Sequence, residues 1–255
     1  MNRHDFPILE HDDAAQAFIE PGKLISPIDV AEHCVVCFFQ DVISKLIREH
    51  KARLVETMRS EMGVHPLHEI IIDGKRLAFF HPGVGAPLAA GLLEEAIAFG
   101  CRKFIACGGS GSLKRELTAG HVIVPTSAVR DEGTSYHYLP ASREVKPHDD
   151  AVKAIEATLQ KHNVPFVLGK TWTMDALYRE TPTRIARRRD EGCLVVEMEA
   201  SAFFAVSQFR AATFAQILYA GDDLSSDEWS SRGWTKLTST REKLFWLAAE
   251  ACLSL

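Results

Sequence analysis

Residues 192–224 constrain the fold of this chain more than any other stretch. Leu194-Val195-Val196 reads as an apolar strand that delivers two acids, Glu197 and Glu199, to the start of a helix running from Met198 to Phe209. A second apolar run, Phe214 to Tyr219, is a strand that leads to another acid pair, Asp222 and Asp223. Strand–helix–strand alternation of this kind builds a sheet with helices packed on its faces. In open α/β sheets the ligand crevice lies at the carboxyl ends of the strands. Four carboxylates at two strand exits therefore point to recognition of hydroxyl groups and to proton transfer. The macrodipole also favours acids at helix N-termini. That account does not require what is seen here, since Glu197 and Glu199 flank an apolar Met198 inside an otherwise apolar run.

The same alternation extends along the chain. Cys34 to Phe39 reads as a short buried strand, followed by helical spacing over Asp41 to Arg59 (Val42, Leu46, Ile47, Leu54, Met58). Glu69–Ile72 and Leu77–Phe80 flank Asp73-Gly74, a hairpin signal. An apolar helix then runs to Phe99 and stops at Gly100. Strands are expected at Phe104–Cys107, Val122–Val124 and Phe166–Thr173, and helices at Ala151–His162 and Arg241–Leu253. Residues 1–33, punctuated by Pro7, Pro21 and Pro27, read as an extended lead-in, and residues 34–255 as one domain.

With 46% hydrophobic residues there is ample material for a core, and the net charge of −5 argues against a general nucleic-acid or anionic-membrane partner. The cluster Arg184, Arg187, Arg188 and Arg189 falls on an expected helix and reads as a solvated face. No apolar segment is long enough to span a bilayer and the N-terminus has no signal-peptide pattern, so the expected location is cytoplasmic. Most of the six cysteines lie in apolar runs and read as reduced, buried thiols. Cys34-Val-Val-Cys37 has redox spacing but sits in a β-branched strand rather than at a helix N-terminus. His65-Pro66-Leu67-His68 lacks a third ligand at standard spacing, so no metal is expected.

Two glycine-rich stretches follow strands, Gly83-Val84-Gly85 and Gly108-Gly109-Ser110-Gly111. Clustered backbone N–H groups without Cβ atoms suit an anion. Neither stretch has dinucleotide or P-loop spacing, and ordinary tight turns account for them equally well. Val129 to Tyr138 is a polar–aromatic segment of the kind that lines ligand pockets or anchors a surface loop.

Together these residues resemble the nucleoside phosphorylase family, which includes uridine phosphorylases, bacterial purine nucleoside phosphorylases and methylthioadenosine nucleosidases. The resemblance is carried by Gly-Val-Gly-Ala-Pro (83–87), Gly-Gly-Ser-Gly (108–111), residues 129–138, Val-Glu-Met-Glu-Ala (196–200) and Gly-Asp-Asp (221–223). It implies a single-domain, three-layer α/β fold with a mixed, mostly parallel central sheet. The implied reaction is cleavage of a nucleoside's N-glycosidic bond by phosphate, a purine being favoured and uridine possible. A phosphate-independent hydrolytic nucleosidase and a non-catalytic nucleoside-binding relative are the alternatives. No cofactor beyond phosphate as co-substrate is implied, and a homo-oligomer (dimer, trimer of dimers or hexamer) is.

Residue by residue, Met198 and Glu199, with Glu197, match the ribose site, and Asp222 matches the acid that protonates N7 of a purine. Asp223 beside it is expected to help Asp222 hold a proton. Gly85, Gly109 and Ser110 fall where the family holds phosphate, with Arg59 as a further candidate. Trp172, Leu177, Tyr178 and Asp222 are the expected base contacts. The chain departs from the pattern at Ala106 and at Gln40–Ser44, where phosphorylases carry arginines. The glutamine–arginine base clamp of the uridine type is also missing around Tyr178–Arg184.

Overall fold

The apolar strands assemble into one ten-stranded mixed sheet. The structure, a computed structural model, describes residues 3–255. Ahead of the sheet lie a 3-10 turn at Pro7–Leu9 and the four-residue helix α1 (Pro21–Leu24). There follow β1 (His33–Cys37), α2 (Gln40–Glu49), β2 (Arg53–Ser60), β3 (Gly63–Ile72), β4 (Lys75–Phe80) and α3 (Ala86–Phe99). The middle of the chain forms β5 (Lys103–Ser112), β6 (Val122–Asp131), β7 (Glu144–Val145), α4 (Asp149–Lys161) and β8 (Phe166–Met174). The last third forms α5 (Pro182–Asp190), β9 (Cys193–Glu197), α6 (Ala200–Phe209), β10 (Thr213–Asp223) and α7 (Thr238–Leu253).

Strands β4, β1, β5 and β10 run parallel to one another, as do β6, β8 and β9. The pairs β2–β3, β3–β4, β6–β10 and β5–β9 are antiparallel, so the sheet is mixed. Because β5 pairs with both β10 and β9, and these are joined through β6 and β8, five strands close on themselves. Helices α2, α4 and α7 cover one face through Val42, Ile155 and Phe245. Helices α3 and α6 cover the other through Leu93, Phe203 and Phe204. Burying a side chain of this size contributes roughly 1.5–3 kcal/mol. Phe203 of α6 stacks on Phe214 of β10 with ring centroids 4.9 Å apart, which ties together the two elements that carry the acids.

Two expectations are corrected. The helix over Asp41–Arg59 ends at Glu49, and Arg53–Ser60 is instead β2, paired with β3. Leu54 and Met58 are four apart, a spacing that shares one face of a strand as well as of a helix, so periodicity alone does not separate the two. Gly108–Gly111 is not a turn but the continuation of β5, paired with β10 and, at Gly111, with β9. The Asp73-Gly74 hairpin forms as expected, with φ of +48° and +80° at its two central residues.

Candidate active site

A cavity of about 1230 Å³ opens where β5, β9 and β10 end. Met198, Glu199 and Glu197 line it from β9 and the start of α6, and Asp222 lines it from β10. Gly109 and Ser110 approach from β5, Leu177, Tyr178 and Glu180 from the loop after β8, and Arg189 from α5. Phe38, Phe39, Tyr219, Trp234 and Arg241 close the remaining side.

Glu197 and Glu199 differ sharply in what holds them. Glu197 Oε2 accepts the backbone N–H of Glu199 at 2.7 Å and of Ala200 at 2.6 Å. Its Oε1 accepts the hydroxyls of Thr173 at 2.7 Å and Thr171 at 3.2 Å. Both oxygens are thereby committed to the first turn of α6 and to β8. The sequence expectation of Glu197 as a ribose ligand gives way to a structural role, because no oxygen of it is left over. Replacing Glu197 by alanine strands two buried N–H groups and two hydroxyls, and the variant is expected to lose about 3 kcal/mol or more of stability. Urea unfolding checks this, and an unchanged midpoint would contradict it.

Glu199 is 5% exposed; its Oε1 accepts the backbone N–H of Gly85 at 2.6 Å, and the Met198 backbone also acts on the carboxyl group. Burial first, and then the neighbouring charge of Glu197, push it up to about 8. A buried acid with unfilled acceptor capacity facing a cavity suits a ligand that offers hydroxyl hydrogens. Gly85 does not line the cavity itself; it holds Glu199. Its φ of +95° at the N-terminus of α3 is a conformation that suits glycine.

Asp222 Oδ2 accepts the indole N–H of Trp229 at 2.7 Å. A Cβ at Gly111 would lie 2.5 Å from Leu224 Cδ1, 3.0 Å from Val196 Cγ1 and 3.4 Å from Asp222 Oδ1, so β5 is closely approached there by side chains from the ends of β9 and β10. Asp223 has partners of its own. Arg232 Nη2 lies 2.5 Å from its Oδ2, and Ser225 N–H donates to its Oδ1 at 2.8 Å. These hydrogen bonds and the Arg232 charge outweigh desolvation and hold Asp223 below the usual carboxylate range. Glu180, which lines the same cavity, is pushed up to about 7 by burial and then by the Asp222 charge.

Other expected contacts fall elsewhere. Trp172 is fully buried, donates to Asp131 Oδ2 at 3.0 Å and does not line the cavity, because its strand position points it into the core beside Leu113 and Val196. Arg59, on β2, lines a second cavity with Met58, Glu95 and Tyr138. His137 and Tyr138 of the polar–aromatic segment also line that second cavity. Ser110 faces the first cavity but donates its hydroxyl to the Tyr219 carbonyl at 3.0 Å. The arginine cluster is not a uniform solvated face, since Arg188 is buried against Asp131 at 2.8 Å and Arg189 reaches the cavity.

Sequence reading missed Glu180, Arg189, Gln216, Tyr219, Trp229, Trp234 and Arg241. Arg241, in the first turn of α7, lies 3.3 Å from the Tyr219 hydroxyl, 3.4 Å from Asp41 and 3.5 Å from the Trp234 carbonyl, with its guanidinium over the rings of Phe39 and Trp234. Gln216 sits beside Ala106 in the β10–β5 register, and its buried Oε1 has no partner among the described residues. Among the described residues no group of three or more His, Cys, Asp or Glu is placed to hold a metal ion, and no helix is long and apolar enough to cross a membrane.

The fold and the cavity define a class: a single-domain α/β protein in which acids at the ends of β9 and β10, the strands on either side of β5, line one cavity. The profile of the phosphorylase superfamily matches residues 32–244, and the chain belongs to that family of nucleoside phosphorylases and nucleosidases. It is 29% identical over 161 residues to guanosine phosphorylase of Halorubrum lacusprofundi, a match covering 61% of this chain and 67% of the relative. The uridine phosphorylase of Vibrio fischeri shares the fold with a TM-score of 0.76 at 21% identity, covering 91% of this chain and 95% of that one. AMP nucleosidase of Bacteroides thetaiotaomicron shares it with a TM-score of 0.71 at 19% identity, covering 88% and 87%.

Proposed function

We propose that the protein is a nucleoside phosphorylase that cleaves a purine nucleoside with phosphate, releasing free base and ribose 1-phosphate. The observation that carries this reading is the convergence of Glu199 and Asp222 on one cavity, with Met198 beside them. In the proposed reaction a phosphate oxygen forms a bond to C1′ as the C1′–N9 bond breaks. The electron pair stays with the base, and Asp222 delivers its proton to N7. Positive charge builds on the ribose as in glycoside cleavage, so hydrogen bonds from the 2′- and 3′-hydroxyls to Glu199 strengthen towards the transition state. The name of the Halorubrum relative supports a purine.

Phosphate is proposed to lie between Gly109, Ser110 and Arg241. Arg241 lines the cavity with its guanidinium over the Phe39 and Trp234 rings, and its hydrogen bonds there are long enough for an anion to compete for its N–H groups. Hydrolysis is the second reading. It is favoured by Ala106 and Ser44, which stand where the resemblance implies arginines.

The test is the initial rate on inosine and guanosine against phosphate concentration, with the sugar product identified. Phosphorolysis is expected, with a high phosphate requirement. Arg241→Ala is expected to raise the KM for phosphate by roughly ten-fold or more, as loss of a charge-assisted hydrogen bond does. Free ribose as the sugar product, at a rate independent of phosphate, would replace this reading with hydrolysis.

A further inference from the structure

Helices α3 and α6 meet at the site by their N-terminal ends, and their other ends are tied as well. Gly85 caps α3 and Glu199 caps α6, and the Gly85 N–H donates to Glu199 Oε1 at 2.6 Å. At the far end Arg210 caps α6 and grips Glu94 of α3 with two hydrogen bonds, from Nε at 2.6 Å and from Nη2 at 3.1 Å. The two helices therefore run side by side in the same direction, and Leu93 and Phe203 share the core that they bury. At 1.5 Å per residue the two ties lie roughly 15 Å apart. A third acid completes the outer tie. Glu20, in the lead-in, accepts from Arg210 Nη1 at 2.7 Å and also holds the Ala17 N–H at 3.2 Å. The side chains of Glu20, Glu94 and Arg210 are only 12%, 8% and 18% exposed, so salt and water screen them little.

We infer that Arg210 is a positioning residue: by clamping α6 to α3 at one end, with Glu20 holding it from the lead-in, it sets the contact of Gly85 with Glu199 at the other. The catalytic side of this inference rests on the cleavage proposed above. A bond of 2.6 Å tolerates little sliding, since a shift of about 1 Å takes it beyond hydrogen-bond distance. A misplacement of that size, caused far from the chemistry, can cost about 10²-fold in rate. The consequence for Glu199 has a definite sign. Burial, then Glu197 of β9, and also Asp175 after β8 push it up, whereas the Gly85 N–H and the Met198 backbone favour its ionised form. Asp222, Glu180, Arg189 and Arg241 line the same cavity from elements that the clamp does not touch. Loosening the clamp withdraws the Gly85 N–H, so Glu199 should keep its proton to higher pH.

The experiment uses the full-length wild type, Arg210→Met, Arg210→Lys and Glu20→Gln, with kcat/KM followed against pH on the nucleoside that the wild type cleaves best. The wild-type profile is expected to rise as Glu199 ionises, near pH 8. Arg210→Met is expected to lose about ten- to a hundred-fold and to move that rise up by about one pH unit, with the KM for phosphate unchanged. Arg210→Lys keeps the charge but not the fork and should fall between it and the wild type, and Glu20→Gln should shift least. A rise that keeps its position in folded Arg210→Met would overturn the clamp, whatever the rate. A second readout needs no turnover: Tm at pH 5 and pH 9 for wild type and Arg210→Met, each with and without Glu199→Gln. A folded-state value raised above the usual 4.5 drains stability as pH climbs towards it, so a still higher value widens the Tm deficit of Arg210→Met by pH 9. Glu199→Gln should abolish that widening, and the comparison cancels what Glu20, Glu94 and Tyr138 do once the arginine is gone. Equal widening in that background, or none in either, would overturn the link to Glu199. A wild type that cleaves no nucleoside would remove the proposed reaction, and the Tm comparison would still decide the clamp.

Discussion

Glu199→Gln is expected to lower kcat/KM on every nucleoside by roughly a thousand-fold or more while making the protein more stable at alkaline pH. The activity loss follows from its place: a buried carboxyl group, held by the Gly85 N–H, facing the cavity that Asp222 also faces. Hydrogen bonds to a ribose that gains positive charge contribute several kcal/mol to the transition state, and each 1.36 kcal/mol is a factor of ten. The stability gain follows from the same burial. Glu199 titrates near 8 in the folded protein against a usual value of 4.5. Below pH 4.5 it is protonated in both states and costs nothing. Between about 4.5 and 8 the unfolded chain ionises while the native one must keep its proton, so stability drains away as pH rises. Glutamine cannot ionise and escapes that loss. Scanning calorimetry at pH 5 and pH 8 should show the variant's Tm advantage growing with pH. A constant Tm difference, or unchanged turnover in the folded variant, would remove Glu199 from the account.

Asp222→Asn is expected to cost a factor of about 10²–10⁴ on inosine or guanosine, the range general acid catalysis supplies. Asparagine keeps the shape and can still meet the Trp229 indole through its amide oxygen, but it has no proton to give. On a nitrophenyl riboside, whose leaving group departs without protonation, the loss should be much smaller. Comparing the two substrates in one variant separates proton transfer from positioning. Equal losses on both would assign Asp222 to binding or structure.

Much of this was legible in the sequence because it rests on local signals. Apolar runs closed by acids located β9 and β10, Asp73-Gly74 gave the hairpin, and Gly100 marked the end of α3. Legibility failed where one pattern serves two structures or where partners lie far apart in the chain. The four-residue spacing of Leu54 and Met58 suits a strand as well as a helix. The glycines of 108–111 mark a strand approached closely by Leu224 rather than a turn. Glu197 and Glu199 look equivalent in sequence. Only the distant Thr171 and Thr173 show that the first is consumed in holding α6. Asp223 seemed poised to act on Asp222, yet it is paired with Arg232, and the Asp222 charge acts on the distant Glu180. Arg241 had no signal at all, since a single arginine in the first turn of a helix carries no mark of the distant strands it faces.

The central claim is that the cavity between β5, β9 and β10 breaks the N-glycosidic bond of purine nucleosides. It is tested most directly by incubating the protein with guanosine, inosine, adenosine and uridine in phosphate buffer and measuring the free base released. The account predicts release of a purine base, abolished together by Glu199→Gln and by Asp222→Asn. Nucleosides that bind, as heat of binding shows, but are recovered intact would contradict it and leave a nucleoside-binding protein in its place.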